Sequence, residues 1–148
     1  MKRPKRRIGH IERVSIPEWG LYGLKAKIDT GAFTSSIDVR SVQVVGAQNG
    51  DSSEALITLG DGRLERTFRA PVVAFRKVRN PSGEVTTRPI VEAVISLGGR
   101  RFRTQINLHR REGMTYRMIV GRRALAGRFV VDVDRRSRRR RLGEGRMA

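Results

Sequence analysis

One short run concentrates the residues that could do chemistry: Lys27-Ile28-Asp29-Thr30-Gly31-Ala32. An apolar strand pattern ends there at a carboxylate. Thr30 and Gly31 follow at once, so the chain can turn tightly and bring backbone N–H groups back to Asp29. One carboxylate beside one water is a weak catalyst. Two carboxylates at hydrogen-bond distance cannot both ionise, so they share a proton. One then acts as general base on a water while its protonated partner polarises a carbonyl. The protons of such a pair belong to the pair, not to either residue. The chain holds a single Asp-Thr-Gly run, so the second carboxylate must come from elsewhere. A symmetric homodimer supplies it by placing the same loop of both copies on the two-fold axis. The tripeptide alone is weak, since chance produces it in roughly a few per cent of chains this long. A strand-end turn with Asp as a backbone cap is the competing reading.

The frame around Asp29 must therefore be rigid, and its pattern is mostly β. Residues 8–16 read as a first strand, closed by Pro17, and 24–28 as the strand that ends at Asp29. Residues 36–45 read as one further extended stretch. Segments 56–59 and 64–68 flank Gly60-Asp61-Gly62, a hairpin signal. Residues 72–78 lead to the turn Asn80-Pro81-Ser82-Gly83. Residues 90–97 lead through Gly98-Gly99 to Phe102, Thr104, Ile106 and Leu108. Those four share one strand face at period 2, opposite Arg101, Arg103, Gln105 and Asn107. Met118-Ile119-Val120-Gly121 is a short strand of buried type. Residues 122–126 form the one convincing helical turn, ended by Gly127, and 129–133 the last strand. The length suits one domain with a real core. It is expected at 8–134, between basic tails at 1–7 and 135–148.

The run Ile119-Val120-Gly121-Arg122-Arg123-Ala124-Leu125 changes the odds on Asp29. An apolar pair, a Gly and a short helix follow the Asp-Thr-Gly at a distance. That combination resembles the retropepsin family of aspartic peptidases, in which such a strand crosses beside the catalytic loop. The resemblance narrows to the bacterial RimB type, associated with the glutamate ligase RimK. It rests on Ala26-Lys27-Ile28-Asp29-Thr30-Gly31-Ala32 with Thr34-Ser35-Ser36, on Arg88-Pro89-Ile90-Val91, and on Arg111-Glu112-Gly113-Met114-Thr115-Tyr116-Arg117. It also rests on the segment from Gly121 to Asp132. The similarity spans residues 8–134. It implies an all-β, retropepsin-like closed barrel with one short C-terminal helix, assembled as a symmetric homodimer. It implies that Asp29 is catalytic, that Thr30 fixes the loop across the dimer axis, and that Gly31 and Ala32 leave room beside the scissile bond. The implied substrate is a run of glutamates added to a ribosomal protein tail by the partner ligase.

The RimB type is often labelled an ATP-dependent zinc protease, and the residues argue otherwise. Zinc takes several His, Cys or carboxylate ligands at short spacing. Here there are no cysteines and two His, His10 and His109, far apart in sequence. They read as ordinary strand or surface residues. No Gly-rich phosphate loop with its Lys is present either. The expectation is no cofactor and no metal. The same lack of Cys excludes disulfides and thiol catalysis. No apolar run has the roughly 18 residues of a membrane span, and no secretory pattern follows the basic start. A cytoplasmic protein without membrane contact is expected.

Charge points to the expected partners. Lys and Arg number 32 against 14 Asp and Glu, a formal net charge of +18. The two expected tails hold 12 of the basic residues and one acid, leaving the span 8–134 only moderately basic. Such tails often touch polyanions, so contact with the ribosome or nucleic acid is a second expectation. From Arg100 to Arg123 there are eight Arg and one acid, Glu112. Arginine forks match carboxylates. Arg88, Arg111, Arg117 and Arg122 fall inside the RimB-like segments and are the expected ligands of an acidic, glutamate-rich substrate tail. A solvated face, or an intramolecular pair such as Arg122 with an acid near the catalytic loop, competes for each of them. Asp38 and Asp132 lack a following Thr-Gly and read as structural. The alternative function is a basic nucleic-acid- or ribosome-binding β-domain with a degenerate active site. The low aromatic content, 5%, gives few stacking platforms for single strands.

Overall fold

A computed structural model describes residues 3–46, 53–60, 65–79, 81–109 and 115–136. Ten strands and one short helix lie among them. Pro17 ends β1 (Arg6–Ile16) and opens a one-turn 3-10 helix, Pro17–Trp19, because its ring removes a strand donor. Gly20 then turns the chain at φ 70°, a left-handed value that costs glycine little. β2 (Leu21–Ile28) returns antiparallel to β1, with Glu12 opposite Ala26.

β3 (Ser35–Asp38) and β4 (Ser41–Gly46) replace the single stretch expected at 36–45. The break falls where the chain changes partners. Val39 N–H donates to the His109 carbonyl, and Arg40 N–H to that of Thr58. β3 lies between β8 and β9, whereas β4 pairs with β5. β5 (Ser53–Gly60) pairs antiparallel with the long β6 (Glu65–Arg79), as the Gly-Asp-Gly signal implies. β6 continues into a second hairpin with β7 (Val85–Leu97), and β7 into a third with β8 (Arg100–His109). β9 (Met118–Val120), α1 (Arg122–Leu125) and β10 (Phe129–Arg136) complete the chain.

The strand order is β10-β1-β2-β9-β3-β8-β7-β6-β5-β4. Ser15 of β1 also pairs with Ser96 of β7. Val14, Ile16, Ile37, Val91, Ile95, Ile106, Leu108, Met118 and Val120 form the middle of the core, each essentially inaccessible. Each such side chain contributes roughly 1.5–3 kcal/mol relative to exposure. β8 alternates as expected at Thr104, Ile106 and Leu108 inside and Arg101 and Arg103 outside. Asn107 departs from the pattern and is buried. The late half of β8 sits between β3 and β7 and near α1, so its second face is no longer open. At the edges, Arg6 and Arg7 already belong to β1, and Arg135 and Arg136 still belong to β10. Gly9 is pressed against that edge. A Cβ there would stand 2.1 Å from the Arg135 carbonyl oxygen. The buried Glu12 carboxylate accepts the Gly9 N–H at 2.7 Å and fixes the bulge in β1.

Candidate active site

β2 and β9 run parallel, with Ile28 opposite Val120. Both strands end side by side, and Asp29 and Gly121 are the next residues. Asp29 N–H donates to the Val120 carbonyl at 2.9 Å, extending the ladder one step. The chain then leaves β2 in a tight turn. Ala32 N–H donates to the Asp29 carbonyl at 3.2 Å, and Gly31 N–H donates to Asp29 Oδ1 at 2.9 Å. One carboxyl oxygen is thereby fixed by the backbone two residues on. A Cβ on Gly31 would lie 3.3 Å from that oxygen, so glycine permits the approach. Asp29 is half-buried, while Thr30 and Gly31 are exposed.

The far side of the loop is held by the segment after β9. Gly121 N–H donates to the buried Ser35 hydroxyl at 3.1 Å. Arg122 N–H donates to the Ala32 carbonyl at 2.8 Å, and Arg123 N–H to that of Phe33 at 2.9 Å. The Arg122 guanidinium donates to the Thr30 carbonyl at 3.1 Å. Arg122 and Arg123 both lie 5.7 Å from the centre of the exposed Phe33 ring. From the other direction comes β6, whose Arg76 Nη1 donates to Thr34 Oγ1 at 3.2 Å. A shallow cavity of about 350 Å³ opens beside Thr30. Its floor is Leu125, Phe129 and Val131, with Lys5 and Arg122 also in its wall.

The model of the RimB-like family, described as the retropepsin-like aspartic endopeptidase RimB, matches residues 7–141. The chain belongs to this family. The all-β frame of this chain agrees with that family. RimB-like segments also occur in larger proteins. This chain is 34% identical over 131 residues to a protein of Parasynechococcus marenigrum named probable alpha-L-glutamate ligase. It is 32% identical over 130 residues to one of the same name from Desulfotalea psychrophila. Each match takes in 86% of this chain but only 28% of the relative. The chain thus spans little more than a quarter of these curated relatives. The RimB-like fold recurs in a crystal structure of a Legionella pneumophila protein of unknown function, at a TM-score of 0.75. That likeness covers 91% of this chain and 98% of the other at 23% identity.

Asp29, Thr30, Gly31 and Ala32 form one continuous loop, and Arg122 touches it directly. Arg88 stands opposite Arg76 in the β6–β7 hairpin. Arg117 is elsewhere. It precedes β9, three residues before Val120, or roughly 10 Å away at about 3.3 Å per strand residue. Its Nη2 donates to the Gly60 carbonyl at 3.3 Å. Arg111 lies outside the described residues. Asp132 is on β10 with Arg7 at 3.8 Å, and Asp38 ends β3 opposite His109. His10 lies on β1 with its Nδ1 2.9 Å from the Arg135 carbonyl oxygen. Two contributors escaped the sequence reading as partners of the loop: Ser35, whose hydroxyl holds Gly121, and Arg76. Ser35 adjoins the Asp-Thr-Gly run and could have been suspected. Nothing in the sequence near Arg76 marks it.

Proposed function

We propose that this chain is half of a homodimeric aspartic endopeptidase acting on glutamate-rich, poly-α-glutamyl tails, such as those added to a ribosomal protein. The observation that carries the reading is the held Asp29 carboxylate, at the mouth of a loop flanked by arginines. Asp29 and Asp29 of a second copy share one proton. The ionised carboxylate takes a proton from a water, and that water's oxygen bonds to the scissile carbonyl carbon. The protonated carboxylate hydrogen-bonds the carbonyl oxygen as it gains charge. The tetrahedral adduct then loses its C–N bond, and the amine leaves with a proton from the dyad. The pairing Ser15↔Ser96 supports a closed barrel in which β1, β2, β9, β3, β8 and β7 form the ring. The apolar floor beside Thr30 supports a second copy seated at that end.

The glutamyl direction draws on two further facts. Arg122, Arg123 and Arg76 surround the loop, and their recorded partners there are neutral. The relatives that contain a RimB-like segment are named for α-L-glutamate ligation, the formation of the bond this chain would cut. No helix among the described residues is long and apolar enough to cross a membrane, and a cytoplasmic location is part of the proposal. The test uses purified protein and a poly-α-glutamyl peptide. Cleavage is expected, and Asp29→Asn should abolish it while sedimentation still reports a dimer. Cleavage should survive excess chelator. Undiminished cleavage by Asp29→Asn would sink the dyad.

A further inference from the structure

The β6–β7 hairpin reaches the catalytic loop through one long side chain. Arg76 is exposed on β6 and gives one guanidinium donor to the Thr34 hydroxyl, two residues beyond Ala32. A guanidinium has five donors in a fixed fork. A neutral hydroxyl uses one of them, and no carboxylate among the described residues is recorded against Arg76. Directly across the hairpin stands Arg88, in register with Arg76. On the other side of the loop, Arg122 and Arg123 are held by a carbonyl and a ring. The loop that carries Asp29 is thus the meeting point of cations from two separate elements.

We infer that Arg76 is the specificity-determining residue that reads a glutamyl side-chain carboxylate next to the scissile bond. This rests on the glutamyl-peptidase reading above. The substrate carboxylate replaces the Thr34 hydroxyl as the partner of Arg76, exchanging a neutral hydrogen bond for a charge-assisted fork. The same exchange ties the hairpin to the substrate.

The experiment compares amidated poly-α-glutamyl and poly-α-glutaminyl peptides of equal length. In the wild type kcat/KM favours the glutamyl peptide. Arg76→Gln should reduce that preference by about 10- to 100-fold, the worth of a hydrogen bond to a charged group, mainly through KM. Arg76→Lys should restore part of it. An equal fall for both peptides, or an unchanged preference, overturns the assignment. A second arm needs no turnover. Binding of the glutamyl peptide to Asp29→Asn should weaken by a similar factor when Arg76→Gln is added, with thermal melting confirming the fold. Binding that depends on Arg76 in a protein that cleaves neither peptide would keep the carboxylate site and reject the peptidase reading. A response seen only with free C-terminal acids would move the site from the side chain to the chain terminus and overturn the proposal.

Discussion

A Cβ on Gly121 would stand 2.8 Å from the carbonyl oxygen of Ala32 and 2.9 Å from that of Thr34. Both neighbours are backbone, so neither can swing aside. Gly121 is extended, at φ −99°, and the demand for glycine here is one of space. Gly121→Ala should therefore push the Asp29 loop away from β9. The expected cost is about 1–3 kcal/mol, typical of forced overpacking, read from chemical denaturation. Peptidase activity should fall further than stability does, because the Asp29 carboxylate rides on the displaced loop. A variant as stable and active as the wild type would mean that the loop moves freely.

Ser35 makes the complementary case. Its hydroxyl is buried and accepts the Gly121 N–H. Ser35→Ala leaves that N–H without its partner, at a cost of roughly 1–3 kcal/mol for an unsatisfied buried donor. Ser35→Thr keeps the oxygen and should recover part of the loss. The comparison of melting midpoints for the two variants separates the hydrogen bond from the packing.

How much of this was legible in the sequence follows from where the information lies. Asp29, Thr30 and Gly31 are consecutive, and the contact that fixes the carboxylate spans two residues. A short motif can record such a contact. Gly121 was legible for a similar reason, as the end of an apolar pair leading into a helix. Arg76 meets Thr34 across 42 residues, and only the register of β6 against β7 brings it there. Arg117 shows the reverse relation. It sits within a few residues of Val120 and Gly121 in the chain, but strand geometry carries it to the other end of β9. The break between β3 and β4 is equally non-local, because it is set by which strands pair and not by a Gly or Pro.

Arg100 offers a test of a different kind. It is only 8% exposed, and its Nε has no hydrogen-bond partner among the described residues. Burial first, then the neighbouring guanidiniums of Arg3, Arg6 and Arg128, lower its pKa from the usual arginine value. A cation with a lowered folded-state pKa is one whose charge disfavours folding at neutral pH. Its Nη2 still donates to the Pro4 carbonyl, which works the other way. Arg100→Met should raise the melting midpoint at low salt, and the gain should shrink as salt screens the neighbouring charges. A lower midpoint would show that the bond to Pro4 outweighs the repulsion.

The basic ends of the chain can be separated from the site. Residues 137–148 carry five arginines and one acid. The recorded partners of Asp29, Val120, Gly31 and Ala32, lie elsewhere in the chain. Deleting it should leave cleavage of a short glutamyl peptide within a few-fold of the full chain. Affinity for a nucleic-acid duplex should drop. On B-DNA the salt dependence should flatten by about 0.9 for each arginine that had contacted a phosphate, measured as log affinity against log salt. If the deletion left nucleic-acid binding intact, the contact would belong to the rest of the chain, where Arg101 and Arg103 form an exposed face of β8. If it removed both activities together, the tail would be part of how the substrate is held, and the two properties would be one.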